Sequence, residues 1–147
     1  MAFQTDKKVV LIESDFLLGL RSGDRNHADV IKALAMHKKG SLQLRILSSA
    51  VIEVRAVLYS KGLASHHVED AVSLIDAALH NFRVENYVPT ILSDIVLSER
   101  LREEFPNLTF FDSLHASTSK RLGIPLLSHD PIYDEVGVKT AKFADMQ

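Results

Sequence analysis

The sequence contains no cysteine, no tryptophan and no long hydrophobic run. Without cysteine the chain cannot form a disulfide, a thiolate nucleophile, a cysteine-ligated zinc site or an iron–sulfur cluster. No apolar run approaches the roughly 18 residues that a membrane-spanning helix needs. The polar segment Met1–Lys8 also lacks the layout of a signal peptide. We therefore expect a cytoplasmic protein that does not associate with membranes.

The charges are nearly balanced, which excludes a general polycation. The formal net charge of the 147 residues is -2, and the sequence pI is about 6.4. Binding of a nucleic acid would therefore need a local basic patch or bound cations. With 46% hydrophobic and 24% charged residues, the composition fits one globular domain. We predict a single domain over residues 1–147 with a core at about 9–143.

Segments with strand character alternate with longer segments of helical period. Val9–Ile12 is a continuous apolar run, and Leu42–Ile46 alternates apolar with polar residues, which favours strands. This alternation predicts an α/β fold with a mainly parallel sheet between helices. In such sheets, binding sites form beyond the carboxyl ends of the strands. The other predicted strands are 82–86, 124–128 and 138–143, and the predicted helices are 16–21, 28–39, 48–61, 65–80, 90–105 and 112–122.

Four acidic residues stand where such a site would form. Asp15 follows the first strand and Asp130 follows the strand at 124–128, whereas Asp112 begins a helix. Glu53 lies on a helix among small apolar neighbours, where a carboxylate is costly unless it is paired. Each has a structural alternative: a helix N-cap for Asp15 and Asp112, a distant ion pair for Glu53, and a turn before Pro131 for Asp130.

In a parallel sheet these four acids can converge at one edge. Clustered carboxylates cannot all ionise unless cations neutralise them, and oxygen ligands without cysteine favour Mg²⁺ or Mn²⁺. Such an ion polarises a phosphoryl oxygen and lowers the pKa of bound water. The set therefore predicts metal-dependent hydrolysis of phosphoesters. Glu13 is a further candidate as an outer-shell acid, Ser128 shares a strand face with Asp130, and His115 is either a packing residue or a partner of the acids.

Several stretches together resemble the PIN-domain (PilT N-terminus-like) nucleases. The strongest is Phe111–Ser117, followed by Leu122–Asp130, which is similar to the family's Asp-bearing helix, Gly, apolar strand and final Ser/Thr-x-Asp. Val9–Leu18 is similar to the first strand with its Asp, and Ser48–Glu53 to the helix that carries the Glu. The resemblance covers about residues 9–140 and rests on the ordered set of motifs.

The resemblance implies a three-layer α/β/α sandwich and Mg²⁺- or Mn²⁺-dependent cleavage of RNA, usually single-stranded. It implies an endoribonuclease of the VapC toxin type or an RNA-processing factor. It also implies an antitoxin protein as a partner, and a homodimer, since homodimerisation is common in the family. The sequence departs from the pattern at Phe16, where many members have Thr or Ser, and at Ile132, where many have an acid. The implied metal ligands are Asp15, Glu53, Asp112 and Asp130, with Ser128 as the hydroxyl that orients water, metal or phosphate.

Three other interpretations stay open at this point. His129-Asp130 matches the dipeptide of HD-type phosphohydrolases, and Glu13 with Asp15 imitates the acidic pair of a receiver domain. A PIN-like scaffold that binds RNA or protein without turnover would keep the same residues. Few aromatic residues lie near the acids in the sequence, so we expect phosphate contacts and no base-stacking platform. The cations available for those contacts are Arg21, Arg25, Lys38, Lys39, Lys120 and Arg121.

Overall fold

A computed structural model describes residues 8–143 and shows a five-stranded sheet in which every pairing is parallel. The order of the strands is β3-β2-β1-β4-β5, so the chain builds outward from β1 in both directions. This confirms the predicted α/β class and its parallel sheet. The strands are β1 (Lys8–Ile12), β2 (Leu42–Leu47), β3 (Tyr87–Val88), β4 (Leu126–Leu127) and β5 (Thr140–Ala141).

Helices connect the strands and cover the sheet. The connection from β1 to β2 contains two helices, as does the next one to β3, which is the usual way in which parallel strands are joined. Within residues 8–143, no helix is long and apolar enough to cross a membrane. The helices are α1 (Ser14–Leu18), α2 (His27–Lys39), α3 (Ser48–Ser60), α4 (Ser65–Asn81), α5 (Leu92–Glu104), α6 (Phe110–Leu122) and α7 (Pro131–Glu135).

The central strand β1 fixes where the site lies. Its residues Val10, Leu11 and Ile12 are completely buried. Because successive side chains of a strand point to opposite faces, both faces of the sheet are covered, as the predicted α/β/α sandwich requires. Ile12 pairs with Ile46 of β2 and with Leu127 of β4. The carboxyl ends of three strands therefore meet at one edge, directly before Glu13.

One local prediction is wrong, and one helix is absent from the prediction. The predicted strand at 82–86 is not one, because Phe82 is the C-cap of α4 and Arg83 adopts a φ of 60°. The strand follows at Tyr87–Val88, where Tyr87 pairs with Ile46. The helix α7 was not predicted as a helix, although Asp130-Pro131 indicated a turn. Asp130 caps α7 and Pro131 occupies its first turn, which is a favourable position for proline.

Candidate metal centre

Glu13 stands at the point where β1 passes into α1. Its carboxylate Oε1 accepts a hydrogen bond from the backbone N–H of Asp15 at 3.2 Å, so Glu13 is the N-cap of α1. Its side chain is only 3% exposed. The N-cap role that the sequence offered as the alternative for Asp15 therefore belongs to Glu13. A buried carboxylate at the end of a buried strand is costly unless other groups compensate its charge.

Helices α3 and α6 bring further ligand atoms to the same place. Glu53 lies on α3, which begins directly after β2, and α6 carries Asp112 and His115 one turn apart. Three carboxylate oxygens and one imidazole nitrogen lie within 4.8 Å of one another. We refer to this group as the acidic cluster, and its members are Glu13, Glu53, Asp112 and His115.

The Glu53 carboxylate is held by two partners. The Ser14 hydroxyl donates a hydrogen bond to Glu53 Oε1, and His115 Nε2 lies 3.4 Å from the same oxygen. His115 is fully buried, and its Nδ1 lies 2.8 Å from the hydroxyl of Ser49. A neutral imidazole with its proton on Nε2 can donate a hydrogen bond to Glu53 and accept one from the Ser49 hydroxyl at Nδ1. One tautomer therefore satisfies both contacts. Of the two roles considered for His115, the structure therefore supports a partner of the acids.

Asp112 is held by a tyrosine from the last helix. The helix α6 is capped by Thr109, whose hydroxyl accepts the N–H of Asp112. Asp112 is therefore in the first turn, and its carboxylate is not needed as the cap. The hydroxyl of Tyr133, which is completely buried, donates to Asp112 Oδ1 at 3.0 Å.

Asp15 and Asp130 lie beside the acidic cluster and are exposed. Asp130 caps α7 by accepting the N–H of Ile132 at 3.0 Å, and its own N–H donates to the hydroxyl of Ser128 at 3.1 Å. Ser128 is 3% exposed. Both aspartates, Glu13 and Ser128 line one cavity of about 510 Å³. Of the predicted residues, Glu53 and Asp112 thus belong to the acidic cluster, and Asp15, Asp130 and Ser128 to the wall of the adjoining cavity.

Burial and the mutual repulsion of the carboxylates shift the pKa values of the acids at the site. Burial, and then the charges of Asp15 and Glu53, raise the pKa of Glu13 well above its ordinary value. Burial, and then the charge of Glu53, also raise the pKa of Asp15, against the opposing charge of Arg25. Burial acts in the same direction on Glu53, but the hydrogen bonds from His115 and Ser14 outweigh it and lower its pKa.

The donor set fits a hard divalent cation. Among residues 8–143, no lysine or arginine forms an ion pair with any acid of the acidic cluster or with Asp15 or Asp130. Clustered carboxylates of this kind need a cation to ionise together. Carboxylate oxygens are the ligands that Mg²⁺ and Mn²⁺ favour, and both ring nitrogens of His115 are already engaged by Glu53 and Ser49. The geometry and the missing positive charge therefore support a metal centre at the acidic cluster. Of the four ligands predicted from the sequence, Glu53 and Asp112 belong to this cluster, and Asp15 and Asp130 stay predictions.

Two residues of the site carried weak signals or none. Glu13 was noted only as an outer-shell candidate, although its position directly after a buried strand was a usable signal. Tyr133 was not identified, because nothing in the local pattern connects it with Asp112. The parallel sheet disagrees with the helical bundle of HD-type phosphohydrolases. The strand β3 is followed by Pro89 and Thr90, where a receiver domain would need its acceptor aspartate.

The fold and the site together define an α/β protein with a candidate metal centre at the carboxyl edge of its parallel sheet. The family profile of the PIN domain matches residues 10–139. The chain belongs to the PIN-domain family, whose members are nucleases. No curated protein sequence matches the chain.

Solved structures with the same fold include three toxin-system proteins. VapBC2 from Rickettsia felis, bound to a DNA fragment from its promoter, has a TM-score of 0.68 at 15% identity over 91% of this chain and 98% of that chain. VapC20 from Mycobacterium tuberculosis, a Sarcin-Ricin loop cleaving toxin, has a TM-score of 0.61 at 16% identity, over 90% of this chain and 98% of that chain. DNA-bound VapBC from Salmonella typhimurium has a TM-score of 0.65 at 12% identity, over 93% of this chain and 98% of that chain. At these identities the likeness shows a shared fold.

Proposed function

We propose that this protein is a divalent-metal-dependent endoribonuclease that hydrolyses phosphodiester bonds in single-stranded or structured RNA. The observation that carries the proposal is the acidic cluster, whose ligand atoms lie within 4.8 Å of one another in a chain of a nuclease family. The description of VapC20 as a Sarcin-Ricin loop cleaving toxin supports RNA as the substrate class.

Glu13, Glu53 and Asp112 would hold Mg²⁺ or Mn²⁺, with Asp15 and Asp130 as the remaining proposed ligands. Such an ion supplies Lewis-acid activation of the phosphoryl oxygen and a more acidic bound water. The protein contributes the orientation of the ligands, because Ser14 and His115 hold Glu53 and Tyr133 holds Asp112. Ser128, on the cavity wall, would orient a water molecule or a phosphate oxygen.

The test is cleavage of a fluorescent single-stranded RNA by the wild type and by Asp112→Asn, with Mg²⁺, Mn²⁺ or EDTA. We expect cleavage by the wild type with either metal and none in EDTA. Asp112→Asn should lose activity by orders of magnitude, because it removes a charged ligand while the Thr109 cap keeps α6 in place. The matched control is Asp70→Asn on the exposed surface of α4, which should cleave like the wild type.

Two results would contradict the proposal. Cleavage that persists in EDTA, or equally in Asp112→Asn, would point to a contaminating nuclease or to a different site. Binding of the RNA without cleavage under every metal condition would favour the scaffold interpretation. Circular dichroism of each variant shows whether a loss of activity is a loss of the fold.

The biological role that we propose is that of a cytoplasmic toxin ribonuclease, restrained by an antitoxin protein and assembled as a homodimer. The VapBC complexes of shared fold support a protein partner of this kind. Induced expression of the wild type should arrest growth of a bacterial host, whereas Asp112→Asn should not. Equal growth of the two cultures would count against the toxin and leave an RNA-processing role.

A further inference from the structure

The cavity beside the acidic cluster has two chemically different walls. Glu13, Asp15 and Asp130 contribute carboxylates to it. Three aromatic rings also line it, those of Phe16, His129 and Phe143, which come from segments far apart in the sequence. The volume of about 510 Å³ is ample for a single nucleotide. The cavity therefore adjoins the place where a phosphodiester would react and is large enough to hold a neighbouring part of the chain.

The aromatic wall is a series of three rings. The ring of Phe16 is stacked on that of Phe143, with centroids 6.2 Å apart and an angle of 14° between the planes. Phe143 in turn contacts His129, whose centroid is 4.9 Å away at 39°. The two phenylalanines are buried, whereas His129 is exposed. The imidazole thus packs on a buried ring and lines the cavity, an arrangement that the sequence alone does not indicate.

One cation stands at the same cavity. Arg25 is the only lysine or arginine in the lining that residues 8–143 provide. It is exposed, and within this part of the chain it forms no ion pair. Arg121 is another of the cations considered for substrate contact. It forms an ion pair with Asp94 instead, with Nε 2.7 Å from Oδ1. Arg25 is therefore the best-placed of the predicted cations for a phosphate near the acids.

We propose that this cavity is a subsite for one RNA nucleotide next to the scissile phosphodiester. The base stacks on the imidazole of His129, and a phosphate oxygen accepts hydrogen bonds from the guanidinium of Arg25. Every base has a π-face that such a ring can contact, and a guanidinium matches the geometry of a phosphate. The subsite rests on the proposed function for the identity of the polymer, but its contacts can be measured without cleavage.

The test is the binding of a short fluorescein-labelled single-stranded RNA of mixed sequence to the full chain by fluorescence anisotropy. The buffer contains Ca²⁺, which takes oxygen ligands, and a gel shows that the RNA stays intact. His129→Ala should weaken binding about tenfold, as expected for the loss of one stacked base, whereas His129→Tyr should retain most of the affinity. The matched control is His66→Ala on the exposed surface of α4.

The salt dependence tests the phosphate contact separately. Loss of one phosphate contact to a single strand should make the slope of log K against log salt less steep by about 0.7. Arg25→Gln should show this change, and Arg100→Gln, an exposed residue of α5, should not. An unchanged slope for Arg25→Gln would overturn the role of Arg25.

The outcomes separate the subsite from the nuclease activity. Cleavage by the wild type together with unchanged binding by His129→Ala and Arg25→Gln would overturn the subsite and leave the proposed function. The expected changes in binding without cleavage under any metal would support the subsite and count against the nuclease. Equal weakening by His129→Ala and His129→Tyr would overturn stacking on this ring.

Discussion

At the scale of single residues, burial and the neighbouring acids oppose the ionisation of Glu13. It caps α1 and lies at the end of the central strand, yet it is 3% exposed and close to Glu53 and Asp112. Burial and these neighbouring acids raise its pKa, so the folded protein binds a proton on Glu13 more tightly than the unfolded chain does. The contribution of Glu13 to stability is therefore greatest below its unfolded pKa and is lost as the pH rises through the folded pKa.

Glu13→Gln should consequently stabilise the protein in EDTA at neutral pH. A glutamine oxygen can still accept the N–H of Asp15 but cannot ionise, so the penalty of the buried charge disappears. We expect the Tm to rise by several degrees, since about 1 kcal/mol moves the Tm of a chain of this size by roughly 2–4 °C. Differential scanning calorimetry over a range of pH measures the effect, which should shrink toward acid pH.

The control for this variant is Glu69→Gln, an exposed residue of α4, which should leave the Tm unchanged. With Mn²⁺ present the order should reverse, because a ligand that binds only the folded state stabilises it and Glu13→Gln weakens that binding. A Tm below that of the wild type in EDTA at neutral pH would mean that the charged cap contributes more than the repulsion costs.

Tyr133 is expected to act through Asp112. Its hydroxyl donates to one carboxylate oxygen and restricts the orientation of that group. Tyr133→Phe keeps the buried ring and removes only this hydrogen bond. We expect the affinity for Mn²⁺, measured by electron paramagnetic resonance, to fall about tenfold, as is typical when a partner of a metal ligand is lost, with little change of the Tm in EDTA.

Tyr59→Phe is the matched control for this experiment. The Tyr59 hydroxyl contacts Ser65 on the surface, so its loss should not affect Mn²⁺ binding. An affinity for Mn²⁺ in Tyr133→Phe within twofold of the wild type would contradict the role assigned to the tyrosine.

At the scale of elements, the bounds of long segments were predicted more accurately than those of short ones, although β4 and β5 lie inside the predicted strands 124–128 and 138–143. The helices α2, α4 and α5 and the strands β1 and β2 lie within a few residues of the ranges that the pattern predicts. The strands β3, β4 and β5 contain two residues each, too few to show a period. Their places follow from pairing with neighbouring strands, and this is why the predicted strand at 82–86 misses Tyr87–Val88.

The packing of α5 on α6 includes a polar clamp that the sequence did not reveal. Asp94 is 1% exposed and accepts two hydrogen bonds from the guanidinium of Arg121, at 2.7 and 3.1 Å. It also accepts the N–H of Ile91 and the hydroxyl of Thr118. Lys120-Arg121 had suggested a substrate contact or the positive end of a helix. The structure assigns Arg121 to the clamp.

Arg121→Ala should therefore reduce stability and leave chemistry intact. It removes the cation that compensates a buried carboxylate, and we expect a loss of about 2 kcal/mol in the free energy of unfolding, less than for a fully buried pair because Arg121 is 29% exposed. Urea denaturation measures the loss, with the exposed Arg100→Ala as the control. Cleavage per folded molecule should stay at the wild-type level, and a selective loss of cleavage would return Arg121 to the RNA contacts.

At the scale of the whole molecule, the parallel sheet explains why distant acids could be predicted to converge. Glu53 and Asp112 follow from that rule, because α3 begins directly after β2 and α6 precedes β4. The same rule does not decide whether Glu13 or Asp15 is the buried acid, because both lie at the junction where β1 ends at Ile12 and α1 begins at Ser14. Neither the strand period nor the helix period spans that junction, so the position of Glu13 directly after the buried strand is the one sequence signal that it is the buried acid.

The C-terminal part of the chain contributes residues that contact the site, and no local sequence pattern predicts these contacts. Tyr133 reaches Asp112 from α7, and Phe143 supports His129 from beyond β5. Both contacts depend on β4 lying beside β1 and β5 beside β4, which is a property of the complete sheet. Glu53 and Asp112 could thus be predicted from residue types and order, whereas the groups that hold the acids required the tertiary structure.

The most direct test of the central claim, that the acidic cluster holds a divalent cation, is anomalous diffraction from crystals of the wild type soaked with Mn²⁺. We predict an anomalous peak within bonding distance of the carboxylates of Glu13, Glu53 and Asp112. A peak near Asp15 and Asp130 alone, or no peak at a Mn²⁺ concentration that supports RNA cleavage, would contradict the account.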